Sequence, residues 1–319
     1  LTAIDGSDLL AVSTGQRVEV YNASQIKRIT TQGTIYDDYY RISNVDTYVD
    51  TFDLSTGEGN DLIEINFDDK STTATVDRDI TINTGLGNDI VTINGGVRSE
   101  QLGTILVNAG VDDTNTKFAA GEATDNDRVA ISSALDANVI LLGGAGNDSL
   151  RLTGEDSNYR LLGAFGGSGR DTMMGGENND FIYGDSSLNA ALVDAFIAAA
   201  QSAVATATTN NSTINTVNAL LAGVENLLPA NSGGADVILS YGGKDYIDGG
   251  DETVAIIYSQ KSDDQILSVG TYYANYDPDF HNRVISVYYN SDGTPLTADQ
   301  YQADGTLSAL GLAAQAAGT

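Results

Sequence analysis

An aspartate closes each of six glycine-rich turns in this chain: TGEGNDLIEI at 56–65, TGLGNDIVTI at 84–93, GGAGNDSLRL at 143–152, GGSGRDTMM at 166–174, GGENNDFIY at 175–183 and SYGGKDYID at 240–248. In every copy the Asp is the sixth residue, and an apolar residue follows two places on. A carboxylate in a turn whose glycines aim carbonyl oxygens inward is donor chemistry for a hard cation such as calcium, which takes six to eight oxygens at ~2.3–2.6 Å. One Asp per turn makes a weak site, whereas turns stacked in register make a column of sites. The alternative is a glycine turn closed by an Asp side chain that bonds its own backbone.

The elements that must carry these turns are strands. Phe52 and Leu54, then Ile80 and Ile82, alternate before the first two turns; Ile63 and Ile65, then Val91 and Ile93, alternate after them. Period-two alternation on both sides of a turn means strand, turn, strand with one face buried. The copy at 143 repeats this with Val139, Leu141, Leu150 and Leu152. ILVNAGV at 105–111 matches 80–86 in type and NDRVAI at 126–131 matches 88–93, so 112–125 reads as an excursion from the turn and Asp127 takes the place of Asp89. Asp61, Asp89, Asp127, Asp148 and Asp171 are then equivalent, at spacings of 28, 38, 21 and 23 residues.

From 166 a strict nine-residue period takes over. The copies at 166–174 and 175–183 abut, as do 231–239 and 240–248, which lead into Gly249, Gly250 and Asp251. Removing 184–230 restores the phase, so these residues read as an inserted helical hairpin. Leu188, Leu192, Ala195, Phe196 and Ala199 would form one helical face, and Ile214, Val217, Leu220, Leu221, Val224 and Leu228 the other. It is either a decoration packed on the main body or an interaction arm. Residues 1–50 read as a β-rich N-terminal cap with strands at 17–21 and 45–49, and 252–319 as a Tyr-rich β cap with strands at 253–258 and 283–289.

The turns resemble the nonapeptide of the RTX (repeats-in-toxin) family, G-G-x-G-x-D-x-U-x with U apolar. The resemblance implies a mainly β chain: a parallel β-roll or β-solenoid with calcium-binding glycine-rich turns, here with the inserted hairpin and β-rich terminal caps. The solenoid would span 51–183 and continue at 231–251. It also implies that each turn supplies about half of a calcium shell and its neighbour the rest. By that likeness the carboxylate ligands are Asp61, Asp89, Asp127, Asp148, Asp171, Asp180, Asp236, Asp245 and Asp251. Backbone would come from Gly57, Gly59, Gly85, Gly87, Gly143, Gly146, Gly166, Gly169, Gly175 and Gly249. The turns at 56, 84 and 109 lack the first Gly, the one at 175 has Asn178 for the fourth-position Gly, and those at 231 and 240 lack the first Gly pair.

Composition sets the limits. Forty-four acidic against fifteen basic residues leave a net charge of −29, which argues against nucleic acid and anionic membrane partners. There is no Cys, hence no thiolate metal site, disulfide or Cys nucleophile, and no apolar run of membrane-spanning length. The single His281 has no GxSxG elbow beside it, and no HExxH motif occurs, so the chain reads as non-enzymatic. These features lead to the expectation of a calcium-dependent structural protein that self-associates into a lattice or filament at the surface of a bacterium. RTX resemblance adds export by a type I system, for which the tail at 307–319 is compatible. The alternatives are a calcium-dependent adhesin, or the folding and secretion module of a larger toxin or exoenzyme. The start at Leu1 suggests a processed form or fragment.

Overall fold

The computed structural model describes residues 15–21, 27–45, 50–67, 79–94, 103–110, 125–132, 137–153, 161–176, 178–188, 193–206, 225–227, 236–239, 245–249, 256–259, 265–267, 272–276 and 283–287. The strands form two large sheets. One has eleven strands, adjacent in this order: β1 (Arg17–Tyr21), β3 (Tyr39–Val45), β5 (Leu62–Phe67), β7 (Ile90–Asn94), β9 (Arg128–Ser132), β11 (Ser149–Thr153), β13 (Thr172–Met174), β17 (Val237–Leu239), β19 (Ile256–Ser259), β21 (Tyr272–Tyr276) and β22 (Arg283–Val287). The other has nine: β2 (Arg28–Gln32), β4 (Thr51–Glu58), β6 (Asp79–Leu86), β8 (Gly103–Asn108), β10 (Ala137–Ala145), β12 (Leu161–Ser168), β14 (Asp180–Tyr183), β18 (Tyr246–Asp248) and β20 (Gln265–Leu267). Parallel neighbours cannot be joined by a tight hairpin. Here the crossover between two strands of one sheet is a strand of the other, so the chain winds as a parallel β-roll.

The apolar alternation stacks in columns. Phe52, Ile80, Ile105, Val139 and Leu162 are register partners through the nine-stranded sheet. Facing them, Ile63, Val91, Val129, Leu150, Met173 and Ile238 line up through the eleven-stranded sheet. All are fully buried, and each side chain of this kind contributes about 1.5–3 kcal/mol on leaving water.

The roll is longer than the glycine turns alone indicate. Within the segment expected as an N-terminal cap, β1 pairs in parallel with β3 and β2 with β4, because Ile29, Tyr40 and Ile42 alternate into the same core. Toward the other end β19, β20 and β21 continue both sheets, and β22 then returns antiparallel to β21, covering that edge.

The inserted segment opens as β15 (Ser186–Leu188), paired antiparallel with β16 (Glu225–Leu227). Those last residues are strand, not the end of a second helix; residues 207–224 lie outside the described set. The helix α1 (Val193–Thr206) packs on the outer face of the nine-stranded sheet. Its buried face is Val193, Phe196, Ile197 and Ala200, while Ala195 is exposed, so the stripe is rotated from the expected one. Phe196 meets Phe165 and Phe181 edge-on, at 5.1 and 6.1 Å between centroids. Gly163 makes room for it: a Cβ there would lie 2.6 Å from Phe196 Cε1. Sheet residues Ile140, Leu142, Leu161 and Tyr183 complete this second core. No helix among the described residues is long and apolar enough to cross a membrane.

Because α1 covers an apolar sheet face, Phe196→Ala is expected to lower stability by about 3–5 kcal/mol, the usual cost of emptying a buried aromatic site. Chemical denaturation at saturating calcium reads this directly. An unchanged midpoint would show the helix to be a detachable decoration.

Candidate metal centre

Strands that alternate between two sheets bring the turns to two edges. Turns leading from the nine-stranded into the eleven-stranded sheet lie on one edge and carry Asp61, Asp89, Asp127, Asp148, Asp171 and Asp236. Turns leading back lie on the other and carry Asp180 and Asp245. The expected ligands are therefore divided between two columns. Asp251 lies outside the described residues.

On the first edge the aspartates form a ladder. The amide of Asp38 donates to Asp61 Oδ1 (2.6 Å), that of Asp61 to Asp89 (2.7 Å) and that of Asp89 to Asp127 (2.8 Å). The series continues through Asp127 to Asp148, Asp148 to Asp171 and Asp171 to Asp236, each 2.8 Å. On the second edge the Asp180 amide donates to Asp245 Oδ1 at 3.0 Å. A parallel ladder of opposite polarity runs one residue earlier and is exposed. Asn88, Asn126 and Asn147 each donate their backbone and side-chain N–H groups to Oδ1 of Asn60, Asn88 and Asn126, at 2.8–3.0 Å.

The Asp ladder uses one oxygen of each carboxylate. The other, Oδ2 of Asp61, Asp89, Asp127, Asp148 and Asp171, is buried and has no hydrogen-bond partner. A buried acceptor without a donor is costly, and here it recurs from coil to coil. Each such oxygen of the later turns faces a glycine and a carbonyl of the next coil. A Cβ on Gly143 would collide with Asp148 Oδ2 and the Gly166 carbonyl, and one on Gly166 with Asp171 Oδ2 and the Gly184 carbonyl. Gly184 relates in the same way to Asp236 Oδ2 and the Gly249 carbonyl. Converging anionic and carbonyl oxygens, with a small space in front of them, fit calcium. Among the described residues no three carboxylates or imidazoles gather at one point, so carbonyls would supply most of the shell.

Six of the predicted glycines lie in the turns of this edge. Gly57, Gly59, Gly85, Gly87, Gly146 and Gly169 hold positive φ of 96–151°, a region that glycine reaches without strain. Asp180 differs from the rest: its Oδ2 accepts the amide of Gly176 at 2.9 Å, so it closes its own turn, with Gly175 packed against it.

Two features escaped the sequence reading. The first is a further turn at 33–38, where Asp38 joins the ladder and the Gln16 amide donates to it. Its signal was the run DYYRIS at 38–43, which matches DLIEIN at 61–66 in polarity although the second and fourth glycines are missing. The second is Asp125, assigned above to the excursion. It is buried, accepts the Gly87 amide at 2.9 Å, and its Oδ2 stands with Asp127 Oδ2 before Gly110. This turn therefore has two carboxylates.

Burial pushes the Asp61 carboxyl up to about 7 and that of Asp89 up to about 6, against the opposing pull of the amides that donate to them. Burial and then the charge of Asp148 carry Asp127 to about 10. Asp148 and Asp171 are raised as well, first by burial and then by the charges of Asp171 and Asp185 respectively.

These folded-state values lie above the ordinary carboxylate value of about 3.9 in the unfolded chain. Each group therefore adds stability to the metal-free roll that is complete below about pH 4 and is lost as pH rises through about 6–10. Without calcium, the thermal midpoint is expected to climb as pH falls from about 9 to about 5, while calcium binding strengthens in the opposite direction and releases protons. Asp148→Asn keeps an acceptor for the Asp127 amide but removes the charge. It should flatten that pH dependence and weaken calcium binding; a pH-independent midpoint in the parent chain would overturn the assignment.

Residues 133–156, 165–187 and 232–252 match the family described as the RTX calcium-binding nonapeptide repeat (4 copies). No curated protein and no solved structure matches the chain. The matched segments contain the glycine-first turns of Asp148 and Asp171 and the later strict copies. The chain therefore carries RTX calcium-binding repeats and is a calcium-binding module of the extracellular type, built as a parallel β-roll.

Proposed function

We propose that this chain is a non-enzymatic, calcium-dependent structural protein that assembles into a layer, filament or matrix at the surface of a bacterium after type I export. The observation behind this reading is the column of buried, undonated carboxylate oxygens on a roll of net charge −29. So acidic a body repels its copies as well as itself. Calcium bound along one edge removes both repulsions at once, which couples folding to association.

The magnitude suits an extracellular ion. A site with a dissociation constant near ~0.1 mM, in ~1 mM calcium, contributes about 1.4 kcal/mol. A few such sites reach the scale of a domain's whole stability, about 5–15 kcal/mol. RTX repeats are typical of secreted bacterial proteins, and a calcium-poor cell interior would hold the chain loose until export. The helix α1 is packed on the roll through its apolar face. Association then falls to the ends and polar faces of the roll. The match confined to repeat segments favours a second reading, the folding module of a larger toxin or exoenzyme.

Light scattering and circular dichroism, followed together as calcium is raised through the millimolar range, separate the two. Gain of β-signal followed by growth into large particles is the expected result. Folding to a stable monomer would overturn self-assembly and leave the module or an adhesin.

A further inference from the structure

Turns at equivalent places on the same edge do not begin with the same residue. Gly143, Gly166 and Gly184 stand first in the later turns, whereas Thr56 and Thr84 stand first in the earlier ones. Both threonines are fully buried. The Thr56 hydroxyl donates to the Thr84 carbonyl at 2.9 Å, and the Thr84 hydroxyl donates to the carbonyl of Ala109. These carbonyls occupy the place that the Gly166 and Gly184 carbonyls occupy in the glycine-first turns, one coil further along from the first residue.

We propose that the Thr56 and Thr84 side chains stand where calcium is held in the glycine-first turns, so that these early coils close without metal and the calcium-dependent part of the roll begins beyond them. The glycine-first turns leave a space bounded by a carboxylate oxygen and a carbonyl of the next coil, and Oδ2 of Asp148 and of Asp171 receives no proton there. A cation serves both oxygens at once. In the threonine-first turns a hydroxyl proton serves the carbonyl instead, and the Cβ and methyl group fill the space. An ion there would have to displace a buried side chain and break the hydrogen bond of its hydroxyl. The turn before them is also closed from within: Asp38 Oδ2 accepts the Thr34 amide at 2.7 Å. The early coils thus place a hydroxyl on the carbonyl and side-chain bulk in the space that the later ones leave open, while Oδ2 of Asp61 and Asp89 keeps no donor. Residues 33–127 lie outside the segments that match the calcium-binding repeat.

The proposal rests on calcium binding by the glycine-first turns and is independent of self-assembly. Its test is the number of calcium ions bound per chain, measured by equilibrium dialysis on the full chain. Thr56→Gly with Thr84→Gly should gain about one ion per opened turn and should need more calcium to fold. Thr56→Ser with Thr84→Ser keeps both hydroxyls and should bind as the parent does. An unchanged count in the glycine variant, or a lower one because the hydroxyls are themselves ligands, overturns the proposal. A parent chain that binds no calcium overturns the calcium reading itself, a distinguishable result.

Hydrogen exchange on the parent chain in chelator needs no variant to fold. Amides of β5 and β7 should stay protected while those of β11 and β13 exchange at least tenfold faster. Equal protection of the two sets would also sink the idea.

Discussion

The roll depends on a hydrogen bond repeated from coil to coil, in which the amide of one buried aspartate donates to the carboxylate of the next. It fixes the turns in register and places a carboxylate every strand spacing, about 4.8 Å. At an effective dielectric of about 20, neighbouring charges at that distance repel by roughly 3 kcal/mol. A charge-assisted hydrogen bond returns only about 1.5–3 kcal/mol. The ladder alone therefore leaves no surplus, and it must be neutralised by protons, by protein donors or by cations. The rest of the edge can be understood as a choice among those three.

The apolar columns impose the complementary constraint. Because Ile80, Ile105 and Val139 are register partners, sliding a coil by one residue would turn a whole strand inside out. Hydrophobic register and carboxylate register therefore enforce one another, one through burial of methyl groups and one through directional bonds. The exposed Asn ladder adds a second set of directional contacts of opposite polarity beside the first. Long excursions are tolerated because they leave from the turns on that edge. Residues 112–124 and the segment holding α1 interrupt turns without shifting strand pairing.

The inserted segment shows how such an excursion is anchored. In this part of the nine-stranded sheet both faces are apolar: Val139 and Leu141 point into the roll, while Ile140 and Leu142 point outward. A face of that kind needs a cover, and α1 supplies it with a stripe at helical spacing. The helix α1 therefore packs as part of the fold, although the sequence that holds it can be excised without disturbing the nine-residue phase.

Much of this was legible beforehand. Strand, turn and strand followed from alternation around glycine, since those patterns are local and the backbone permits few alternatives. The aspartate at the sixth position and the oxygen-rich chemistry of the turns followed as well, and so did Asp127 as the equivalent of Asp89 across an interruption. The turn at Asp38 was missed because its glycines are replaced, and Asp125 because an acidic residue in a polar excursion has no local mark. What tertiary structure alone decided was which edge each aspartate occupies, which carboxylate oxygens are left without donors, and where threonine fills the space that glycine leaves. Those properties arise between residues 21 to 65 positions apart, joined only by coil-to-coil register. A sequence states its periods locally, but the partner of a buried oxygen is chosen by the coil stacked against it.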